Sequence, residues 1–359
     1  MFLNKSSAFG LDLSDLSIKL AWLKKSGGKI KFASFGRQEI SSGVIEEGKI
    51  KKEAELIDLI KKAVSQTKGE KIKTRFCVAS LPETESYIRV VQLPKMKQEE
   101  MAEAIKWELE ANIPVSVNDV YFDWQIIQNN FNEKDHSDIL IGALPKTLVD
   151  PYLSAIRKAG LEPLVFEIES VATGRALIKK EAWSEPLMII DLGAKRTCFI
   201  LWAGASIWFT SSVPISNNLL IDDIAKALQV PYDKAKDLKF KTGLDEAGKE
   251  DGKIYSALEP RLLELVGETR KYLDYYKTAI APRCKEQCCI KKILLCGGGA
   301  NLKGLPVFLS SRLKLEVAIG NPWVNIFQAD NKNLPRLSFS DSLAYTTSLG
   351  LALRGLEAQ

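Results

Sequence analysis

The chain has 359 residues, 46% apolar and 26% charged, proportions that exclude a disordered, collagen-like or fibrous protein. At ~100–200 residues per domain, this length predicts two or three packed units whose core needs no covalent staples. Lys and Arg total 50 against 45 Asp and Glu, a formal charge of +5 with the signs interspersed; with no basic stripe, no nucleic-acid partner is expected.

Met1 to Ser7 carries no apolar stretch of signal-peptide length. Next comes Phe9-Gly-Leu-Asp12-Leu-Ser14-Asp-Leu-Ser17-Ile-Lys19-Leu-Ala-Trp22, which reads as an apolar strand, an Asp, a short polar turn and a second strand; residues 29–35 add a third. Residues 53–65 place Leu56, Ile57, Ile60, Ala63 and Val64 at helical spacing. A strand is predicted over 74–80. A helix over 97–113 repeats Met101, Ile105 and Leu109 every four residues until Pro114 ends it. Strands follow at 121–128 and 138–143, separated by a polar loop, 129–137. His136, the single histidine, reads there as a solvated loop residue, and histidine triads and His-rich metal sites are excluded. Residues 152–159 read as a helix closed by Gly160.

Past the midpoint, Ile189-Ile-Asp191-Leu-Gly193-Ala-Lys195-Arg196-Thr197-Cys-Phe-Ile-Leu-Trp202 repeats the strand, Asp, turn, strand pattern, and 205–211 repeats the third strand. Helices are predicted over 219–228, 259–280, 305–313 and 341–353, the last capped by Ser340. The longest nearly apolar run, 198–209, is broken by Gly204 and Ser206 and falls short of the about 20 residues that span a bilayer. Cys77, Cys198 and Cys296 sit in apolar runs, which predicts reduced thiols in a cytoplasmic protein. Cys284, Cys288 and Cys289 lack the C-x2-C pair of zinc sites and read as an exposed reduced loop. Alternating strands and helices give an α/β protein. Repetition at half the chain length suggests two related lobes rather than a solenoid, although Asp is common at hairpin turns and chance repetition stays open.

A tight turn between strands points successive backbone N–H groups into one concavity, which suits phosphate oxygens. Ser14, Ser17 and Thr197 add hydroxyls there, and Lys19 and Arg196 add positive charge. Asp12 and Asp191 suit a hydrated Mg²⁺, which takes only one or two carboxylates. If the lobes face each other, the two turns clamp a nucleotide's phosphates; taken singly, each is equally an ordinary surface hairpin. The run Ile293-Leu-Leu-Cys296-Gly297-Gly298-Gly299-Ala300-Asn301-Leu302-Lys303-Gly304-Leu305 takes a buried strand through three glycines into a helix start. Such a turn lets a flat ligand approach the backbone and favours anionic groups, although it is neither G-x-G-x-x-G nor a P-loop.

The order hairpin, hairpin, Gly-Gly-Gly-Ala resembles the actin-like ATP-binding superfamily of actin, the Hsp70 chaperones, sugar kinases and FtsA, and within it the PilM family of type IV pilus assembly. The resemblance spans nearly the whole chain. Its telling stretches are Leu93-Pro-Lys-Met-Lys-Gln-Glu-Glu-Met-Ala-Glu-Ala-Ile-Lys-Trp107-Glu-Leu-Glu, Phe166-Glu-Ile-Glu169-Ser-Val-Ala-Thr-Gly-Arg175-Ala, 213–224 and 295–305. It implies an actin-like (ribonuclease H-like), two-lobed, duplicated α/β fold with an extra small subdomain. The implied division is a first lobe at 1–92, the small subdomain at 93–165, and a second lobe at 166–359 with its own smaller subdomain at about 216–290. A last helix, 340–356, is expected to pack back on the first lobe.

The implied cofactors are ATP or ADP and Mg²⁺. The resemblance implies a first phosphate loop of Asp12, Ser14, Asp15, Leu16, Ser17 and Lys19, and a second of Asp191, Gly193, Ala194, Lys195, Arg196 and Thr197. It implies further contacts from Asn217, Lys236 and Lys239, and an adenosine contact at Gly297, Gly298, Gly299, Ala300 and Asn301. Asp12 and Asp191 would hold Mg²⁺ through water, and Glu169 stands where relatives carry a residue that orients the attacking water. Three departures predict weakened nucleotide binding: Ser14 stands where many relatives have Gly, Ser216 and Asn217 replace a frequent Gly pair, and Lys236 replaces a Glu that bonds the ribose. Loss of one such bond costs about 0.5–1.5 kcal/mol.

The implied partner is the N-terminal cytoplasmic tail of a PilN-like inner-membrane protein, held in a groove beside the small subdomain by backbone pairing and apolar pockets. Tyr121, Phe122 and Trp124 offer aromatic material for that groove, although Phe122 and Trp124 also alternate as a half-buried strand would. Cytoplasmic pilus motor ATPases and self-association stay open as further partners. The implied function is a cytoplasmic, nucleotide-responsive scaffold recruited to the inner face of the membrane, with at most slow ATPase activity. An FtsA-like membrane filament or cell-division protein is the alternative; the ending Glu357-Ala-Gln359, directly after a core-like helix, leaves no room for the expected amphipathic anchor. A small-molecule kinase is the second alternative, for which no Asp base is assignable.

Overall fold

The computed structural model describes residues 8–113, 115–127, 136–179, 185–204, 206–244, 251–284, 289–327 and 336–358. The chain opens with β1 (Phe9–Ser14), β2 (Ser17–Ser26), β3 (Lys29–Glu39), the short hairpin β4 (Ile45–Glu46) and β5 (Lys49–Ile50), α1 (Glu53–Ser65), β6 (Lys68–Gly69) and β7 (Phe76–Leu81). It continues through β8 (Tyr87–Pro94), α2 (Gln98–Asn112), β9 (Val120–Ile126), β10 (His136–Pro145), α3 (Lys146–Lys158), β11 (Glu162–Ile168) and α4 (Glu169–Leu177). The second half runs β12 (Leu187–Leu192), β13 (Thr197–Ala203), β14 (Ser206–Val213), α5 (Asn217–Leu228), α6 (Tyr232–Lys241), α7 (Asp251–Tyr275), β15 (Lys292–Cys296), α8 (Leu305–Leu313), β16 (Glu316–Ile319), α9 (Phe339–Ser342) and α10 (Thr346–Glu357).

Two sheets repeat one plan. In the first, β3, β2 and β1 are antiparallel neighbours, and β7 and β11 extend the sheet in parallel from β1. In the second, β14, β13 and β12 repeat the antiparallel trio, and β15 and β16 repeat the parallel extension. Identical order and direction make the weak sequence repeat a structural duplication, and the fold is the actin-like, two-lobed α/β architecture. β1 and β13 are buried at all but one residue each, whereas the outer strands β3 and β14 are only partly covered; β12 reads Leu-Met-Ile-Ile-Asp-Leu, a continuous apolar run broken only by its Asp, as in a strand covered on both faces.

A third sheet, ordered β8-β10-β9, sits under α2. Its strands span residues 87–145, so the expected break at 92/93 falls inside β8, while α3 and β11 (146–168) return to the first lobe's core and sheet. Phe122 and Trp124 pack, half-buried, against the core cluster that includes Met101, Ile105 and Leu109 of α2. Tyr121 is exposed and donates to Asp150 Oδ1 at 3.0 Å. His136 is not a loop residue but opens β10, opposite Pro94 of β8. Residues 128–135, Pro114, Ala205 and Cys288, on which other expectations fall, lie outside the described residues.

The lobes are joined by α4 and α10. Ten of the twelve residues of α10 are buried, the signature of a helix with no solvent face. Gly10, Gly350 and Gly355 make this possible: a Cβ on Gly350 would sit 1.8 Å from the Ala172 carbonyl oxygen of α4, and one on Gly355 would sit 2.3 Å from the Ala8 carbonyl oxygen. α10 therefore packs on the first lobe's sheet. Its approach is capped by Ser338, whose Oγ accepts from Asp341 N at 3.1 Å, and not by Ser340. No helix among the described residues is long and apolar enough to cross a membrane.

Candidate functional site

The turn of each trio faces the other across a cleft of about 1250 Å³. In the first hairpin, β1 and β2 pair through Ser14–Ser17, leaving Asp15 and Leu16 as a two-residue tip. Ser14 Oγ donates to Ser17 O at 3.0 Å and locks it. Asp12 sits on the cleft floor, buried, with Lys19 Nζ 2.9 Å from its Oδ2 and Ser80 Oγ donating to its Oδ1 at 3.3 Å.

The second hairpin spans Gly193 to Arg196 and is closed by Gly193 N donating to Arg196 O at 3.0 Å. The first amides of α5 support it from below: Asn217 N donates to Gly193 O and Asn218 N to Ala194 O. Arg196 is turned onto its own lobe, donating to Ser212 Oγ at 2.9 Å. Lys195 instead reaches over the cleft, its Nζ 3.6 Å from Asp15 Oδ2. One ion pair thus joins two hairpins that lie half a chain apart.

The acidic groups are strongly perturbed. Burial pushes Asp191 up to about 6; Lys19 pulls it down and Asp12 adds to the rise. Burial also pushes Glu169, the first residue of α4, well above the carboxylate range, with Asp12, Glu83 and Asp191 adding repulsion and Lys19 opposing. Glu83, which sequence reasoning passed over, lines the same cleft at 8% exposure, and neither of its oxygens has a hydrogen-bond partner. Burial raises its pKa, while the nearby Thr210, Ser170 and Ser86 hydroxyls, outside bonding geometry, oppose the rise. Its signal was its place at the carboxyl end of a core strand, where open α/β sheets gather ligands.

The Gly-Gly-Gly tract enters beside Asp191. Gly297 has φ +80°, and a Cβ there would meet Asp191 Oδ1 at 2.2 Å, so glycine alone lets strand β15 turn at this point. Gly297, Gly298 and Asn301 line the cleft, and Asn301 Nδ2 donates to Ser340 O at 2.8 Å. Opposite them, α6 presents Tyr232, Lys236 and Phe240, one residue per turn on one face, all lining the cleft.

Asp12, Ser14, Asp15, Leu16, Ser17, Lys19, Glu169, Asp191, Gly193, Ala194, Lys195, Arg196, Asn217 and Lys236 also line it. Four expected contacts do not. Thr197 is fully buried, and its hydroxyl donates to Ile215 O at 2.7 Å. Lys239 is fully buried, and its Nζ donates to Asn217 Oδ1 at 2.6 Å; burial lowers it to about 8. Lys239 therefore positions Asn217 instead of meeting a ligand. Gly299 and Ala300 are buried, Gly299 against Leu192.

The donor set suits a hydrated divalent cation. Two carboxylates, Asp12 and Asp191, face the cleft, and no hydrogen bond among the described residues contributes to the shift of the Asp191 carboxyl. A hydrated ion of this kind takes only one or two carboxylates and keeps most of its waters.

Comparison with known proteins agrees with this geometry. In structure, the chain is similar to a PilM-PilN type IV pilus biogenesis complex, with TM-score 0.80, 25% identity and 98% of both chains covered. It is also similar in fold to the ethanolamine utilization protein EutJ from Carboxydothermus hydrogenoformans, with TM-score 0.58, 14% identity, and 98% of this chain and 91% of that one covered. A third likeness is MreB5 of Spiroplasma citri bound to ADP, with TM-score 0.55, 14% identity, and 90% and 94% covered. In sequence, it is 24% identical to the cell division protein FtsA of Borreliella burgdorferi over 46% of this chain and 44% of that protein. Against FtsA of Pseudomonas aeruginosa it is 23% identical over 57% and 50%. The chain thus spans half or less of these curated relatives. The profile of the type IV pilus assembly protein PilM matches residues 10–356. The chain belongs to the PilM family of type IV pilus assembly proteins.

Proposed function

We propose that this chain is an ATP- or ADP-binding scaffold of type IV pilus assembly that couples its nucleotide state to capture of a PilN-like protein's N-terminal tail. The observation that carries the reading is the meeting of the two duplicated hairpins over one cleft, with Lys195 Nζ 3.6 Å from Asp15. The phosphates would lie between the hairpins, and the nucleoside between Gly297–Asn301 and the Tyr232, Lys236, Phe240 face of α6. Asp191 and Asp12 would hold Mg²⁺ through water, and the ion would neutralise phosphate charge. Glu169, whose carboxyl burial and the neighbouring Asp12, Glu83 and Asp191 raise well above the usual carboxylate range, would orient the attacking water, and at most slow turnover is expected. The tail would bind beside the sheet β8-β10-β9, recruiting the protein to the inner face of the membrane. Pilus motor ATPases and further copies of the chain are its expected neighbours.

Calorimetric titration tests this. Mg-ATP binds the wild type and binds Asp191→Ala at least about tenfold more weakly. Saturating ATP shifts the affinity of a synthetic partner tail about fivefold or more, the lower end of allosteric couplings. An unchanged tail affinity overturns the coupling, and absence of nucleotide binding in wild type overturns the nucleotide reading.

A further inference from the structure

We infer that Asp15 and Lys195 form an electrostatic gate that a polyphosphate must open, so that the protein itself competes for its own ligand-binding cation. This rests on the nucleotide reading above and adds its regulation. The cations of both hairpins are engaged within the protein: Lys19 by Asp12, Arg196 by Ser212 and Lys195 by Asp15. The first two partners belong to the cation's own lobe. Lys195 alone crosses to the opposite hairpin, so it is the contact that ligand entry must break.

Asp15 is the fixed half of the gate. Its Oδ1 accepts from Gly48 N at 2.9 Å and its Oδ2 from Glu47 N at 3.2 Å. Those residues form the β4–β5 turn, which Tyr152 holds by donating to Gly48 O at 2.8 Å. Gly48 has φ +79° and lies close against Pro82 and Thr84, where a Cβ would meet them at 2.7 Å. Asp15 is 16% and Lys195 35% exposed at the side chain, so the anchored carboxylate stays and the longer lysine moves. An anion carrying several charges outcompetes one carboxylate for an ammonium, and the released Lys195 side chain then turns onto the ligand while α5 keeps the second hairpin in place. A monophosphate, with less charge to offer, opens the gate poorly.

Inorganic tripolyphosphate and Mg-ATP are titrated into wild type, Asp15→Asn and Lys195→Gln, alongside a double-mutant cycle of ligand-free thermal midpoints. The cycle is expected to show coupling that falls in high salt. Asp15→Asn, relieved of the competing charge, binds both ligands about threefold or more tightly than wild type, while Lys195→Gln binds them at least threefold more weakly. Asparagine keeps an acceptor for Gly48 N but sets its Nδ2 against Glu47 N, so the ligand-free midpoint of Asp15→Asn reports any loosening of the turn separately from ligand binding. Absent coupling, or equal or weaker binding by Asp15→Asn, overturns the gate. Coupling without binding of either ligand to any of the three proteins overturns the nucleotide reading, and the gating with it.

Discussion

Gly350→Ala is expected to destabilise the protein by about 1–2 kcal/mol net, although alanine is the better helix former by about 1 kcal/mol. The reason is backbone contact. The added methyl would lie 1.8 Å from the Ala172 carbonyl oxygen and 2.5 Å from its carbon, and neither atom can rotate away. Relief requires α10 to lift from α4, and overpacking of this kind typically costs 1–3 kcal/mol or more. Because α4 begins at Glu169 and α10 contributes Thr347 to the cleft, the same shift loosens the site. Urea unfolding measures the effect. Gly267→Ala, at an exposed position of α7 with nothing within 4 Å of the new methyl, should instead stabilise by up to about 1 kcal/mol. Equal midpoints for wild type and Gly350→Ala would remove the proposed helix crossing.

Asp191→Asn should stabilise the folded protein at pH 8 by about 3 kcal/mol while sharply weakening Mg-nucleotide binding. Burial first, then Lys19 and Asp12 in opposite senses, bring the Asp191 carboxyl to about 6, against about 3.9 in an unfolded chain. A carboxyl raised on folding favours the native state while both forms are protonated, below about pH 4. That advantage is lost as pH climbs to about 6, and the deficit is constant above. Two units of displacement at 1.36 kcal/mol each set the magnitude. The gain from asparagine should therefore be small near pH 4, grow between pH 4 and 6, and level off beyond. Denaturant midpoints across that range are the check; a gain independent of pH would mean that ionisation of the half-buried Asp191 is not its source. A residue that destabilises its own fold at working pH is the mark of a site shaped for a ligand.

The duplicated hairpins, the Gly-Gly-Gly turn and the helix boundaries of α1 and α8 were legible in the residues, because apolar spacing and glycine punctuation are local properties. Thr197 and Lys239 show where such reasoning stops. Their types suit a phosphate site, yet Thr197 spends its hydroxyl on Ile215 and Lys239 on Asn217, partners fixed by packing between elements. The polar neighbourhood of His136 spells a loop, while the strand it opens is fixed by pairing with β8.

The sequence by itself determined two like acidic hairpins half a chain apart, since alternation and turn chemistry are written residue by residue; that they head two duplicated sheets was decided by the structure. Only the tertiary structure decided that Asp15 meets Lys195, that Glu83 is buried unpaired in the same cleft, and that α4 and α10 cross at Gly350. Those depend on how chain segments distant in order are brought together, and the summed packing of three sheets sets that.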